Sequence, residues 1–99
     1  MEYGPNEFHD FRKRMFAIYE RYGLDKALQL LKSSTIPHTS KAGLQGELLF
    51  YNKYRNEFGL EALLDTGVKA DFMGRKDNNQ LVNFDVTTNT DYKDIHSYA

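Results

Sequence analysis

The apolar residues change their period at Gly59. Before it they recur every three or four positions; after it they alternate. The first spacing makes one stripe along a helix, the second one face of a strand. A chain with that switch builds helices first and a small sheet second, an α+β or α/β order. Its 99 residues make one domain, or part of one, with a modest core. Cysteine is absent, which excludes a disulfide framework, a thiol nucleophile and a cysteine zinc site, and fits a reducing cytoplasm. No apolar run is long enough for a membrane span, and the start MEYGPNEFHD is not a secretory leader.

The spacing predicts a first helix from Asn6 to Tyr22. Asn6 caps it, Glu7 and Asp10 sit in the first turn, and Gly23 stops it. Phe8, Phe11, Met15, Tyr19 and Tyr22 form its apolar stripe. Arg12, Lys13 and Arg14 fan around it as a solvated face. A shorter helix begins near Asp25 and carries Ala27, Leu28, Leu30 and Leu31, so residues 1–36 read as a helical hairpin. The stretch SSTIPHTS (33–40) is a linker, because Pro37 turns Ile36 away from helix; His38 is a loop residue. A third helix runs from Lys41 to Phe58, capped by Ser40 and stopped by Gly59. Glu47 falls between Tyr51 and Tyr54 at the edge of its apolar stripe. A carboxylate there needs a partner, a metal or an exit to water. Tyr51 and Tyr54 read as core residues.

Beyond Gly59, GLEALLDTG reads as a short strand or helix end with a turn at Asp65-Thr66-Gly67. VKADFMG (68–74) and LVNFDVTTN (81–89) read as strands of a β-hairpin in a small mixed sheet. The final DYKDIHSYA reads as helical or irregular, with Asn89 and Thr90 as loop residues before it. Val82, Phe84 and Val86 share a face, as do Ala70 and Phe72. If both rows lie on one side of the sheet, cross-strand partners sum to an even number. A loop over 76–80 then pairs Asp71 with Asp85 and Lys69 with Thr87. Facing carboxylates repel, and a divalent cation between them reverses that sign. With Glu47 from the preceding helix, three carboxylates and one lysine converge, an oxygen set suited to Mg²⁺ or Mn²⁺.

Helix, strand and strand, carrying KAGLQGELLF, VKADFMG and LVNFDVTTN, resemble the PD-(D/E)xK nuclease superfamily, especially its Holliday-junction-resolvase-like and restriction-endonuclease-like members. The resemblance covers about residues 41–94. It implies a restriction-endonuclease-like partial core over 37–99 and a Mg²⁺- or Mn²⁺-dependent endonuclease acting on DNA, with RNA as the other substrate class. Glu47, Asp71 and Asp85 would be catalytic metal ligands, joined by the Val86 carbonyl. Lys69 would stabilise developing charge. Two departures stand out. Thr87 occupies the place of the family's lysine, which leaves Lys69, or alternatively Lys93, to supply the ammonium. The chain also ends about where the family's second core helix begins, so it is a truncated or reduced member, or is completed by a second chain as a homodimer.

The charge pattern fits that reading only in part. Net charge is −1. Residues 1–76 carry a balance of +2 and residues 77–99 one of −3. Phosphate contacts therefore fall to Arg12, Lys13, Arg14, Lys41 or Lys53. Two rival readings stay open: a nuclease-like DNA-binding or protein-interaction module without chemistry, and a small α+β interaction protein whose strand aspartates are ordinary exposed residues.

Overall fold

The computed structural model describes residues 5–65 and 67–96. Three helices precede four strands: α1 (Pro5–Tyr22), α2 (Leu24–Ser33), α3 (His38–Phe58), β1 (Glu61–Ala62), β2 (Phe72–Arg75), β3 (Leu81–Val86) and β4 (Tyr92–His96). The strands form one antiparallel sheet in chain order β1-β2-β3-β4, an α+β fold. The sheet is therefore not mixed, because each short connection can only return the chain antiparallel. No helix among the described residues is long and apolar enough to cross a membrane.

The helices start slightly earlier than the sequence spacing indicates. α1 begins at Pro5, whose missing N–H costs nothing in a first turn, so Asn6 lies inside the helix. Its buried residues are Arg12, Met15, Phe16 and Tyr19, whereas Tyr22 is 61% exposed. α3 begins at His38 and not Lys41. Pro37 is its N-cap, and the Pro37 carbonyl accepts the Lys41 N–H at 3.0 Å. The linker shrinks accordingly, pinned by buried Ile36. Gly59 ends α3 in the left-handed conformation at φ 57°, which glycine adopts without a Cβ penalty.

The β2–β3 register is the expected one: Phe72 opposes Phe84, Met73 opposes Asn83, and the connection closes with Lys76 N donating to Gln80 O at 3.1 Å. β2 itself starts later, at Phe72; residues 68–71 are not strand, and Val68 is exposed. β4 replaces the expected helical or irregular tail. The free edge of β3 offers unpaired backbone groups, and Tyr92 joins the aromatic cluster, 5.3 Å from Phe84 and 5.4 Å from Phe50. Thr66 of the expected 65–67 turn and residues 97–99 lie outside the described residues.

One core serves both the helical hairpin and the sheet. Phe50, Phe72 and Phe84 are fully buried between α3 and the sheet, and Phe16 of α1 packs edge-on against Phe72 at 5.7 Å. Tyr51 stacks on Phe72 at 5.4 Å, in the core as expected. Gly74 allows the closest approach: a Cβ there would lie 2.6 Å from the Phe58 carbonyl.

Candidate functional site

Asp71 sits one residue before β2, Asp85 near the end of β3, and Glu47 two turns into α3. The β3–β4 turn packs on α3 beside Glu47, where a Cβ at Gly46 would stand an ordinary 3.6 Å from Asn89. Asn89 and Thr90 are turn residues, as the sequence suggests.

At the ladder's end the aspartate side chains join the backbone in pairing the strands. The Asp71 carboxylate accepts the Val86 N–H at 3.0 Å, and Asp85 Oδ1 accepts the Asp71 N–H at 3.3 Å. The Asp71 N–H also reaches the Phe84 carbonyl at 3.1 Å. A short polar side chain that can take a backbone donor competes with the ladder, which accounts for β2 starting only at Phe72. The pair is thus strapped to the strands by hydrogen bonds, which the strand pattern does not predict.

Arg12 closes the corner. The sequence placed it on a solvated face among residues for phosphate contact; it is buried, its side chain 9% exposed and that of Glu47 12%. Position 12 lies four residues after Phe8 and three or four before Met15 and Phe16, so it belongs to the inward stripe. Arg12 Nε donates to Glu47 Oε1 at 2.7 Å, Nη1 to the Leu63 carbonyl at 2.6 Å, and Nη2 to the Asp71 carbonyl at 3.0 Å. The guanidinium carbon lies 5.1 Å from the Phe16 ring centroid. Glu47 therefore has the partner that its position in the apolar stripe required.

The electrostatics follow from burial. Loss of water pushes the Glu47 pKa up to about 7; Arg12 opposes the rise, and Asp71 and Asp85 add to it. Asp71 is also raised by burial, against the lowering effects of the Val86 N–H and Arg12, with Asp85 adding to the rise. Glu47 thus feels both aspartates and Asp71 feels Asp85, while Arg12 opposes the rise at Glu47 and at Asp71.

That arrangement does not fit a divalent metal as it stands. Among the described residues, no group of three His, Asp or Glu side chains is placed to hold one. An oxygen that a metal would need, Glu47 Oε1, is taken by a guanidinium. Of Val86, the N–H is engaged with Asp71.

The two lysines differ. The β2–β3 ladder stops short of Lys69, which is exposed, so the expected Lys69–Thr87 pair is not formed. Lys93 on β4 is the direct cross-strand partner of Asp85. Directly opposed residues share a sheet face, their Cβ atoms about 5 Å apart. Lys13 and Arg14 are exposed on α1. Lys41 donates to the Lys32 carbonyl at 2.9 Å, and Lys53 lies over the Tyr54 ring. Lys41 and Lys53 are separated by about 18 Å along α3 at the helical rise.

His9 was missed by the sequence reading. One turn ahead of Arg12, it lines a cleft of about 400 Å³ with Arg12, Glu47, Asp65 and Asp71. Its Nε2 is buried without a hydrogen-bond partner. The spacing of three from Arg12 was the available signal, hidden while Arg12 was assigned to solvent. Comparison with protein families, curated proteins and solved structures finds no match for this chain.

Proposed function

We propose that the chain is a nuclease-like domain that hydrolyses phosphodiester bonds of DNA, of the Mg²⁺- or Mn²⁺-dependent PD-(D/E)xK kind, with its carboxylate corner in a closed arrangement. The observation that supports this reading is the contact of Asp71 and Asp85 where the β2–β3 ladder ends, with both aspartates acting on Glu47 of α3. Carboxylates that repel are costly to gather in a half-buried corner, which favours a use beyond packing. DNA would be held by Lys13, Arg14, Lys41 and Lys53, with binding that weakens as salt rises. A cytoplasmic setting and a homodimer belong to the same reading; light scattering at micromolar concentration checks the second.

The second reading is a nuclease-like DNA-binding or protein-interaction module without chemistry. The Arg12–Glu47 pair at 2.7 Å favours it, as does Thr87 in the place of a lysine. Incubation with supercoiled DNA, branched DNA and RNA in Mg²⁺ and in Mn²⁺ separates the two. The endonuclease reading expects nicking that Asp71→Asn and Asp85→Asn each abolish. Binding without cleavage in either metal establishes the non-catalytic module instead.

A further inference from the structure

α2 and α3 turn a second concave surface to solvent, away from the carboxylate corner. Each helix contributes residues at i, i+3, i+4 and i+7, which fall on one face. From α2 these are Asp25, Leu28, Gln29 and Lys32; from α3 they are His38, Lys41, Ala42 and Gln45. Between them lies a cavity of about 630 Å³, larger than the cleft of about 400 Å³ beside Arg12. Glu47 is two residues past Gln45, about 200° round the same helix, so it faces the other way. We propose that this groove binds a nucleoside monophosphate, with the phosphate at the Lys32–Lys41 end and the nucleoside toward Asp25.

The charges of the groove are sorted by its ends. Lys32 lies in the last turn of α2 and Lys41 near the start of α3. The connection over 34–37 therefore brings both ammoniums to one end, with His38 beside them. Asp25 is two turns back along α2, about 10 Å away at the helical rise. Lys41 is half-buried, and its ammonium donates to the Lys32 carbonyl at 2.9 Å. That bond holds the ammonium in place and uses one of its three donors. Among the described residues neither lysine forms an ion pair. Two cations with spare donors suit a phosphate dianion better than a singly charged carboxylate.

The rest of the groove fits a nucleoside. Its floor is apolar: Leu31 is 2% exposed, and Leu28 packs against the same core. A flat base laid there is removed from water on one side. Gln29 and Gln45 each carry a donor and an acceptor, the pair that an adenine edge requires. The Asp25 carboxylate accepts hydrogen bonds from ribose hydroxyls and repels phosphate, which sets the orientation. The volume lies within the range of pockets that enclose small ligands, about 300–1,000 Å³. Of the residues proposed above to hold DNA, only Lys41 belongs to this groove.

Titration of the unmutated chain with AMP, followed by backbone amide NMR shifts, tests the site. The shifts should concentrate in residues 25–45 and saturate at millimolar AMP or below. Adenosine, which lacks the phosphate, should bind about tenfold more weakly or worse. Lys32→Gln/Lys41→Gln should weaken AMP by about the same factor, with the spectrum outside α2 and α3 unchanged, which an unfolded variant would not show. A 5′-phosphorylated oligonucleotide set against its unphosphorylated twin identifies the source of the nucleotide. A gain from the terminal phosphate, with shifts in 25–45, supports the site with a strand end as ligand; no gain while AMP still binds supports it with free nucleotide as ligand. Adenosine binding as tightly as AMP, AMP shifts centred outside α2 and α3, or no shifts at millimolar AMP overturns the proposal. None of these outcomes touches the metal-dependent reading, which is tested by cleavage.

Discussion

Phe72 faces Phe84 across β2 and β3, and each has an aspartate for a neighbour, Asp71 before one and Asp85 after the other. The two phenylalanines turn into a core of stacked and edge-on rings. The two aspartates bond to each other's strands at a polar corner, where buried Arg12 donates to the Asp71 carbonyl. One residue along the same strands separates a region held by non-directional contact from one held by directional bonds. The first tolerates any shape that fills it; the second fails when one donor or acceptor is lost. Both nevertheless anchor α1, through Phe16 on Phe72 of the sheet and through Arg12 on the carbonyls of Leu63 and Asp71 that flank β1 and β2.

The largest expected effect puts the two regions on equal terms. Arg12→Ala leaves Glu47 buried without its partner, a loss of about 3–5 kcal/mol. Phe72→Ala costs about 3–5 kcal/mol by cavity formation. Urea denaturation of both variants measures the pair. An Arg12→Ala cost below about 1 kcal/mol would mean that the corner contributes little and that the core alone holds the helices.

The next effect separates the regions by pH, since only the corner titrates. Glu47 has its pKa raised from 4.5 to about 7 in the folded chain. Between those values the folded state holds a proton that the unfolded state has released, so stability falls as pH rises from 4.5 to about 7 and then levels. The drop attributable to Glu47 is at most about 3.4 kcal/mol. Glu47→Gln should flatten this slope in denaturation curves taken at pH 5 and pH 8. A slope unchanged by the substitution would assign the titration elsewhere.

Core geometry sets the third effect. Gly74→Ala drives a methyl against the Phe58 carbonyl and should cost about 1–3 kcal/mol of stability in the same denaturation assay. The smallest effect sharpens the contrast in sign. Asp71→Ala relieves repulsion with Asp85 but strands the Val86 N–H. The hydrogen bond outweighs the repulsion in a corner where Arg12 already screens the charges, so the metal-free variant should lose about 1 kcal/mol. A more stable variant would show that repulsion dominates, as the strand pattern alone suggests.

The core was legible and the corner only half so. Alternation in 81–86 fixed which residues face inward, and parity then fixed the β2–β3 register, because a one-residue slip would turn Phe72 and Phe84 to the outside. Gly59 marked the end of α3 for a purely local reason. β4 was not legible: DYKDI carries little strand pattern, and its pairing is dictated by the open edge of β3 and by the seat for Tyr92 among Phe50, Phe58 and Phe84. The late start of β2 was missed because it depends on a side chain, that of Asp71, taking a backbone donor of another strand. Arg12 was misplaced because a charge in a run of three reads as surface. The spacing from Phe8 and Phe16 and the unexplained carboxylate at Glu47 were two halves of one signal, an inward charge on each of two helices.

The proposed metal-dependent chemistry at the carboxylate corner is tested most directly by anomalous diffraction from a crystal of the intact chain grown or soaked in Mn²⁺. A metal site there should give one strong peak between the Asp71 and Asp85 carboxylates, with the Arg12–Glu47 pair broken. No peak at the corner, with Arg12 still bonded to Glu47 in saturating Mn²⁺, would contradict it.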